Sequence, residues 1–239
     1  MVKQVQFILA SLLMLFTGSC FGHEIIQATS TFSYVNQNRP PDKQLLLNGR
    51  IWRNQFSKAV GDQFFLSNTF LRGSVIINGL RFNNLNIKYD IINDELLLSI
   101  ESYPIIMMNK EMVDSFSLTF ENRIYNMINA GTDTSAVLRG YVNVLYSGHS
   151  ALYVKYTKQL HPLGVDGRYD LINQVHFVYL KKGNKIIPVT GKRKLLSLLE
   201  DKKREIRSFM KSNRIRIRWK DPDTFVPLLR YYDSLENNL

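Results

Sequence analysis

Short apolar runs separated by tight-turn residues constrain the fold of this chain more than any other feature of its sequence. The run VII at residues 75–77 is followed by Asn78-Gly79 and then by LRF at residues 80–82. Asn-Gly supplies the two positive-φ residues that a two-residue type I′ turn requires. This segment is therefore the strongest hairpin signal in the chain.

The same pattern of short apolar runs separated by turn residues extends from residue 45 to about residue 188. Further short runs lie at residues 86–91, 95–101, 102–108, 116–120, 123–128, 141–146, 151–156, 169–180 and 185–189. Ten or more short strands with no helical period between them predict an antiparallel meander. Twist must curl such a sheet, so we expect a mainly β (α+β) fold, with a barrel-like or sandwich-like body over residues 45–190.

From residue 191 the apolar spacing becomes helical. Leu195, Leu196, Leu198 and Leu199 recur at helical spacing, and so do Ile206, Phe209 and Met210. Asp201 lies between the two sets and is expected to cap the second helix.

The last segment is expected to contain a strand and a final helix. The run RIRIRWK at residues 214–220 alternates strictly, which predicts a half-buried strand with a basic outer face. Asp221-Pro222-Asp223 should start a helix whose apolar stripe is Phe225, Leu228, Leu229 and Tyr232. Residues 191–239 are therefore predicted to form a basic helix–strand–helix tail packed on the β-body.

The N-terminus has the pattern of an export signal. Lys3 precedes the apolar run FILASLLMLF at residues 7–16, and small residues follow it. A membrane span needs about 20 apolar residues, so this run is too short to be one. Cleavage after Gly22 is expected, which makes residues 1–22 a signal peptide and residues 23–44 a tether. Cys20, the only cysteine, is the alternative processing site, where lipidation would anchor the chain to a membrane.

Positive charge is concentrated in the C-terminal segment. The formal net charge is +11; residues 180–239 contain 16 Lys and Arg against 7 Asp and Glu, whereas residues 24–179 contain 14 against 13. A basic surface attracts nucleic acid, anionic lipid headgroups or an acidic protein face, and export makes nucleic acid the least expected partner. The alternative is that these charges bind no partner and only keep the C-terminal segment solvated. The candidate contact residues are Lys202, Lys203, Arg207, Lys211, Arg214, Arg216, Arg218 and Lys220.

Composition and motifs exclude several function classes. A hydrophobic fraction of 45% excludes a disordered chain, and a single cysteine excludes a disulfide scaffold or a Cys-rich zinc site. The sequence has no HExxH, GxSxG, P-loop or dinucleotide-binding motif, so we expect no catalytic residues, metal or cofactor. The one acidic cluster, Asp90, Asn93, Asp94 and Glu95, indicates a hairpin turn, with an acid/base pair or a Ca²⁺ site as alternatives.

Several segments taken together resemble a family of exported proteins. They are LNGRIW (47–52), DQFFLSNTFLRGSVIINGLRF (62–82), LNIKYDIINDELLL (85–98), NKEMVDSFSL (109–118), GYVNVLYSGHSALYVKY (140–156), KLLSLLEDKKREIRSFMKSNRIRIR (194–218) and RYYDSL (230–235). The chain resembles an uncharacterised family of exported β-rich proteins of Bacteroidota-type bacterial envelopes. The resemblance implies a periplasmic or cell-envelope location in a Gram-negative bacterium, and it implies no catalytic residues.

These observations predict a non-enzymatic binding or structural module of the cell envelope. Its basic C-terminal tail is expected to contact a partner protein or an anionic membrane surface. One alternative is a periplasmic carrier that holds a lipid or another hydrophobic ligand in the curled sheet. Another is a glycan-binding or glycan-hydrolysing protein, for which two carboxylates about 5–10 Å apart across a cleft would be needed.

Overall fold

The computed structural model describes residues 42–131 and 136–236, and eleven strands lie within these ranges. The strands are β1 (Gly49–Ile51), β2 (Leu71–Ile77), β3 (Leu80–Asp90), β4 (Glu95–Ser99), β5 (Ile106–Met108), β6 (Val113–Phe120), β7 (Arg123–Asn129), β8 (Tyr141–Ser147), β9 (Ser150–Val165), β10 (Tyr169–Lys182) and β11 (Lys185–Val189). They form one antiparallel sheet in the order β1-β5-β4-β3-β2-β6-β7-β8-β9-β10-β11. The sheet is curled and unclosed, with β1 and β11 at its edges, so the predicted mainly β fold with a curled meander is confirmed.

Local turn chemistry explains the hairpin between β2 and β3. Asn78 and Gly79 join β2 to β3 with φ values of 48° and 78°. Both residues tolerate this left-handed backbone, as a type I′ turn requires. The strands on either side pair Ile77 with Leu80, which is the register that the sequence predicted.

Residues 52–70 differ from the predicted β pattern, because they contain only isolated bridges at Val60 and Phe64. The Asp62 carboxylate accepts a hydrogen bond from the Phe64 amide at 2.7 Å and turns the chain. The Phe65 amide then donates to the Tyr89 carbonyl at 2.8 Å. The apolar run around Phe65 thus forms a loop that is hydrogen-bonded to the end of β3.

The curl of the sheet brings together strands that are not neighbours. Four strands separate β3 from β9 in the sheet, yet the Thr157 hydroxyl of β9 donates to the Ile91 carbonyl at 2.9 Å. Beneath this contact lies the first core, in which the Phe116 ring packs edge-on against Tyr89 and Tyr141 at 5.3 and 5.0 Å. Edge-to-face aromatic packing of this kind adds to the stability gained from burial.

Three helices follow the sheet: α1 (Lys192–Leu198), α2 (Lys203–Ser212) and α3 (Val226–Glu236), with 3-10 turns at Lys43–Leu47, Glu200–Lys202 and Pro222–Phe225. They cover the end of the sheet formed by β8 to β11 and make a second core. This core joins Leu152, Val154, Val178, Leu180 and Val189 of the strands to Leu195, Leu199, Ile206, Phe225, Leu228, Leu229 and Tyr232. Each such side chain contributes about 1.5–3 kcal/mol when fully buried, so the predicted apolar stripe of α3 anchors the C-terminal segment to the sheet.

Asp201 does not cap α2. It lies in the 3-10 turn Glu200–Lys202, and α2 begins at Lys203 without a side-chain cap. The Asp201 carboxylate accepts hydrogen bonds from the Lys182 ammonium at 3.0 Å and the Tyr232 hydroxyl at 2.7 Å. The predicted cap is therefore wrong, because the same carboxylate instead ties the helices to β10.

Candidate functional site

The eight predicted contact residues define what we call the basic surface. Lys203, Arg207 and Lys211 repeat every four residues along α2 and are exposed, whereas Ile206 on an adjoining face of the helix is buried in the second core. Lys202 precedes them and is half-buried. The helix thus separates its charged stripe from the second core.

The basic surface continues into residues 214–220, which alternate in burial as predicted. Arg214, Arg216, Arg218 and Lys220 are exposed, and Ile215, Ile217 and Trp219 are half-buried. The predicted strand is nevertheless wrong, because the one backbone bridge of this segment is the local one between Arg218 and Asp221. Ile217 and Trp219 pack on the second core instead of alongside a strand, so their alternation reflects contact with the helices.

Trp219 fixes this segment to the sheet. His176 of β10 donates from Nε2 to the Trp219 carbonyl at 2.9 Å, and the two rings lie 5.8 Å apart. The Trp219 ring also lies 6.0 Å from the Phe225 ring. The Thr224 hydroxyl accepts a hydrogen bond from the Arg218 amide at 3.0 Å. The arginines are thus presented on a fixed backbone.

Most cations of the basic surface make no ion pair within the described part of the chain. Lys203 pairs with Glu200 at 2.5 Å and Arg218 with Asp221 at 2.6 Å, both at exposed positions. For the other six cations, the described part of the chain provides no ion pair. Exposed cations without compensation keep a positive potential that attracts anions.

A second charged site lies where the sheet curls upon itself. Asp94, in the turn between β3 and β4, accepts hydrogen bonds at Oδ1 from the Lys155 ammonium and the Tyr89 hydroxyl, both at 2.5 Å. Its Oδ2 pairs with Lys110. We call Asp94, Lys110, Lys155 and Tyr89 the Asp94 cluster. It joins the β3–β4 turn to β9 across the curl.

The environment of the Asp94 cluster keeps its carboxylate ionised. Burial acts to raise the pKa of Asp94, but the charge of Lys155 and the hydrogen bonds from Lys110, Lys155 and Tyr89 outweigh it and hold that pKa below its usual value. Burial raises the pKa of Tyr89 well above its usual value, and the Asp94 charge adds to this shift. Tyr89 therefore remains a hydrogen-bond donor.

Asp90 and Asp94, the two aspartates of the acidic cluster, have different roles. The Asp90 carboxylate accepts hydrogen bonds from the amides of Ile92 and Asn93, both at 3.0 Å, as a turn residue does. Asp94 is a half-buried ion-pair residue, a role that sequence reasoning missed because Lys110 and Lys155 lie 16 and 61 residues away. Within residues 42–131 and 136–236, no group of three or more His, Cys, Asp or Glu side chains could hold a metal ion.

The inner face of the curl is filled by side chains. Phe65 lies 4.6 Å from Tyr156 and 5.5 Å from Tyr125, measured between ring centroids. Phe116, Tyr141 and Tyr89 continue this packing, and each is almost fully buried. This packing gives no support to the alternative of a lipid held inside the sheet.

No protein family, curated protein or solved structure matches the chain. Among the residues that the structure describes, none of the helices has the length and apolar character needed to cross a membrane. The predicted signal peptide, most of the predicted tether and Cys20 lie outside the described residues.

Proposed function

We propose that the protein is an exported, non-enzymatic binding module of the cell envelope that contacts an anionic membrane surface through the basic surface. The observation that carries this proposal is the row of exposed cations that the basic surface has on α2 and residues 214–220, five of which have no ion pair in the described structure. The N-terminal sequence pattern supports the exported location.

The chemistry of the basic surface favours lipid headgroups over a protein partner. Stable protein interfaces usually have an apolar centre with exposed aromatic anchors. Here the apolar residues between the arginines, Ile217 and Trp219, are half-buried against the molecule's own core. The groups left facing outward are guanidinium and ammonium groups. Arginine binds phosphate in a bidentate manner, and each Lys or Arg near an anionic membrane contributes about 1 kcal/mol.

The test is vesicle binding by charge-reversal variants. The full chain, expressed and processed in cells, is mixed with vesicles of equal parts phosphatidylglycerol and phosphatidylcholine, or of phosphatidylcholine alone. Arg207→Glu, Lys211→Glu and Arg216→Glu combined should lower partitioning onto the anionic vesicles by about tenfold or more. Rising salt should also weaken binding of the original protein, because ions screen the attraction.

A matched control separates the basic surface from net charge. Arg53→Glu, Lys58→Glu and Arg168→Glu make the same change in net charge at three exposed positions of the sheet region. All variants carry the same N-terminus, so its contribution to binding cancels. An equal loss in both triple variants, unchanged partitioning in the first, or no preference for phosphatidylglycerol would each contradict the proposal. In that case an acidic protein partner becomes the better account of the charge.

A further inference from the structure

Two clefts lie beside β9 and share part of their lining. The first, of about 330 Å³, is lined by Asp94, Lys110 and Gly140, among other residues. The second, of about 460 Å³, is lined by Val137, Phe177 and Tyr179, among others. Arg139, Lys155 and Thr157 line both clefts. We call this combined space the β9 groove; it is separate from the residues of the basic surface.

One end of the β9 groove has more positive than negative charge. Lys110 and Lys155 share a single carboxylate, that of Asp94. Burial lowers the pKa of Lys155 despite the Asp94 charge, and the positive charges of Lys110 and Arg139 lower it further. Glu95, another carboxylate whose charge reaches Lys110, lines a third cleft that Lys110 also borders, and it does not line the β9 groove. An anion entering the groove would therefore relieve repulsion among these cations.

Lys110 is the cation best placed to make a direct contact. The Lys155 ammonium already donates to Asp94 at 2.5 Å and to the Tyr141 carbonyl at 3.0 Å, and it lies 3.5 Å from the Tyr89 hydroxyl. An ammonium group has three donors, so Lys155 has none to spare. Among the side chains of the described residues, Lys110 donates to Asp94 alone, which leaves donors for a second oxygen. Arg139 has a partner of its own and adds its charge to the field of the groove.

The other end of the β9 groove is apolar and open to solvent. Phe177 is 48% exposed and Val137 is 57% exposed, although both line the groove. Large apolar side chains left exposed in a concave site can bind the apolar part of a ligand. The groove therefore combines a cationic end with an aromatic and aliphatic wall.

We propose that the β9 groove binds a small organic anion in which a carboxylate is attached to an aromatic or branched apolar body. The carboxylate accepts hydrogen bonds from Lys110 in the field of Lys155 and Arg139. The apolar body packs against Phe177 and Val137. This ligand site is independent of the proposed membrane contact.

The experiment titrates phenylacetate into the full chain and follows binding by isothermal titration calorimetry, with benzyl alcohol as the uncharged analogue. Val137→Asp places a negative charge at the apolar wall, and Val137→Asn is its neutral control of similar size. Because Val137 is exposed, neither substitution should prevent folding. Val137→Asp should bind phenylacetate about fivefold more weakly than Val137→Asn, through like-charge repulsion. Ile124→Asp, at a 61% exposed position outside the groove, should bind like the original protein.

Three outcomes would overturn the inference. They are no saturable binding of phenylacetate, equal affinity for phenylacetate and benzyl alcohol, and equal phenylacetate affinity in the Val137→Asp and Val137→Asn variants. Vesicle partitioning measured on Val137→Asp should equal that of the original protein. Failure of the groove and failure of the membrane contact are thus observed separately.

Discussion

The Asp94 cluster and the basic surface use the same kinds of cationic side chain under opposite conditions. In the cluster, the Lys155 and Asp94 side chains are 17% and 20% exposed and meet at 2.5 Å. On the basic surface, Arg218 is 69% exposed, and most of its neighbours have no acidic partner in the described structure. Breaking a half-buried pair leaves a charge that water solvates only in part, whereas an exposed cation is already solvated. The first region should therefore determine stability, and the second should be free to bind.

The largest expected effect comes from breaking the Asp94 cluster. Asp94→Asn removes the one carboxylate that Lys110 and Lys155 share, and should lower the free energy of unfolding by about 3 kcal/mol at neutral pH. Urea unfolding followed by circular dichroism measures this. Asp166→Asn is the control, because Asp166 is exposed and its φ of 49° suits asparagine. A loss below about 0.5 kcal/mol for Asp94→Asn, the range of ordinary surface substitutions, would mean that the cluster does not hold the curl.

The same variant has a defined pH dependence. Because the pKa of folded Asp94 lies below its usual value of 3.8, the stability from ionising it is present above that value and is lost as the pH falls through the folded pKa. The stability difference between the original protein and Asp94→Asn should be constant from about pH 7 to about pH 5 and shrink below about pH 4. A difference that grows on acidification would contradict this sign.

A smaller effect should follow from loosening the basic surface without changing its charge. Trp219→Ala removes the contacts with His176 and Phe225, so residues 214–220 should open more often. Limited trypsin digestion should then cut after Arg216 and Arg218 about tenfold faster. Trp52→Ala, which removes a half-buried tryptophan far along the chain, is the control. Equal cleavage rates in the two variants would show that Trp219 does not fix the segment.

The smallest effect on stability is expected where the effect on vesicle binding is largest. Arg207→Glu with Lys211→Glu should change the free energy of unfolding by less than about 0.5 kcal/mol, because both side chains are exposed and have no ion pair in the described structure. Urea unfolding checks this. A loss above about 2 kcal/mol would assign these residues to the fold and remove the contrast with the Asp94 cluster.

Sequence reasoning succeeded where the determining contacts are local. The Asn78-Gly79 hairpin depends on two neighbouring backbone angles, and the apolar stripe of α3 depends on residues three or four apart. Both signals can be read within one short window. The curled meander followed because many such windows succeed one another along the chain.

Sequence reasoning failed where contacts between residues far apart in the sequence determine the structure. The alternation at 214–220 predicted which side chains are buried, but it did not predict strand pairing correctly. Alternation does not specify whether a neighbouring strand or a helix covers the buried face. Phe65 falls within the segment expected to be β, but it lies in a loop whose amide pairs with Tyr89 in another element. Asp94 looked like a turn residue, and its partners Lys110 and Lys155 are distant in the sequence. These features are set by tertiary contacts.

The two edge strands of the unclosed sheet affect whether molecules associate strand to strand at high concentration. β1 is three residues long and carries Arg50, and β11 carries Pro188, which has no N–H to donate. A short, charged edge and a proline-bearing edge are poor templates for adding a strand from another chain. The sheet is thereby protected at both ends against growing into a fibre.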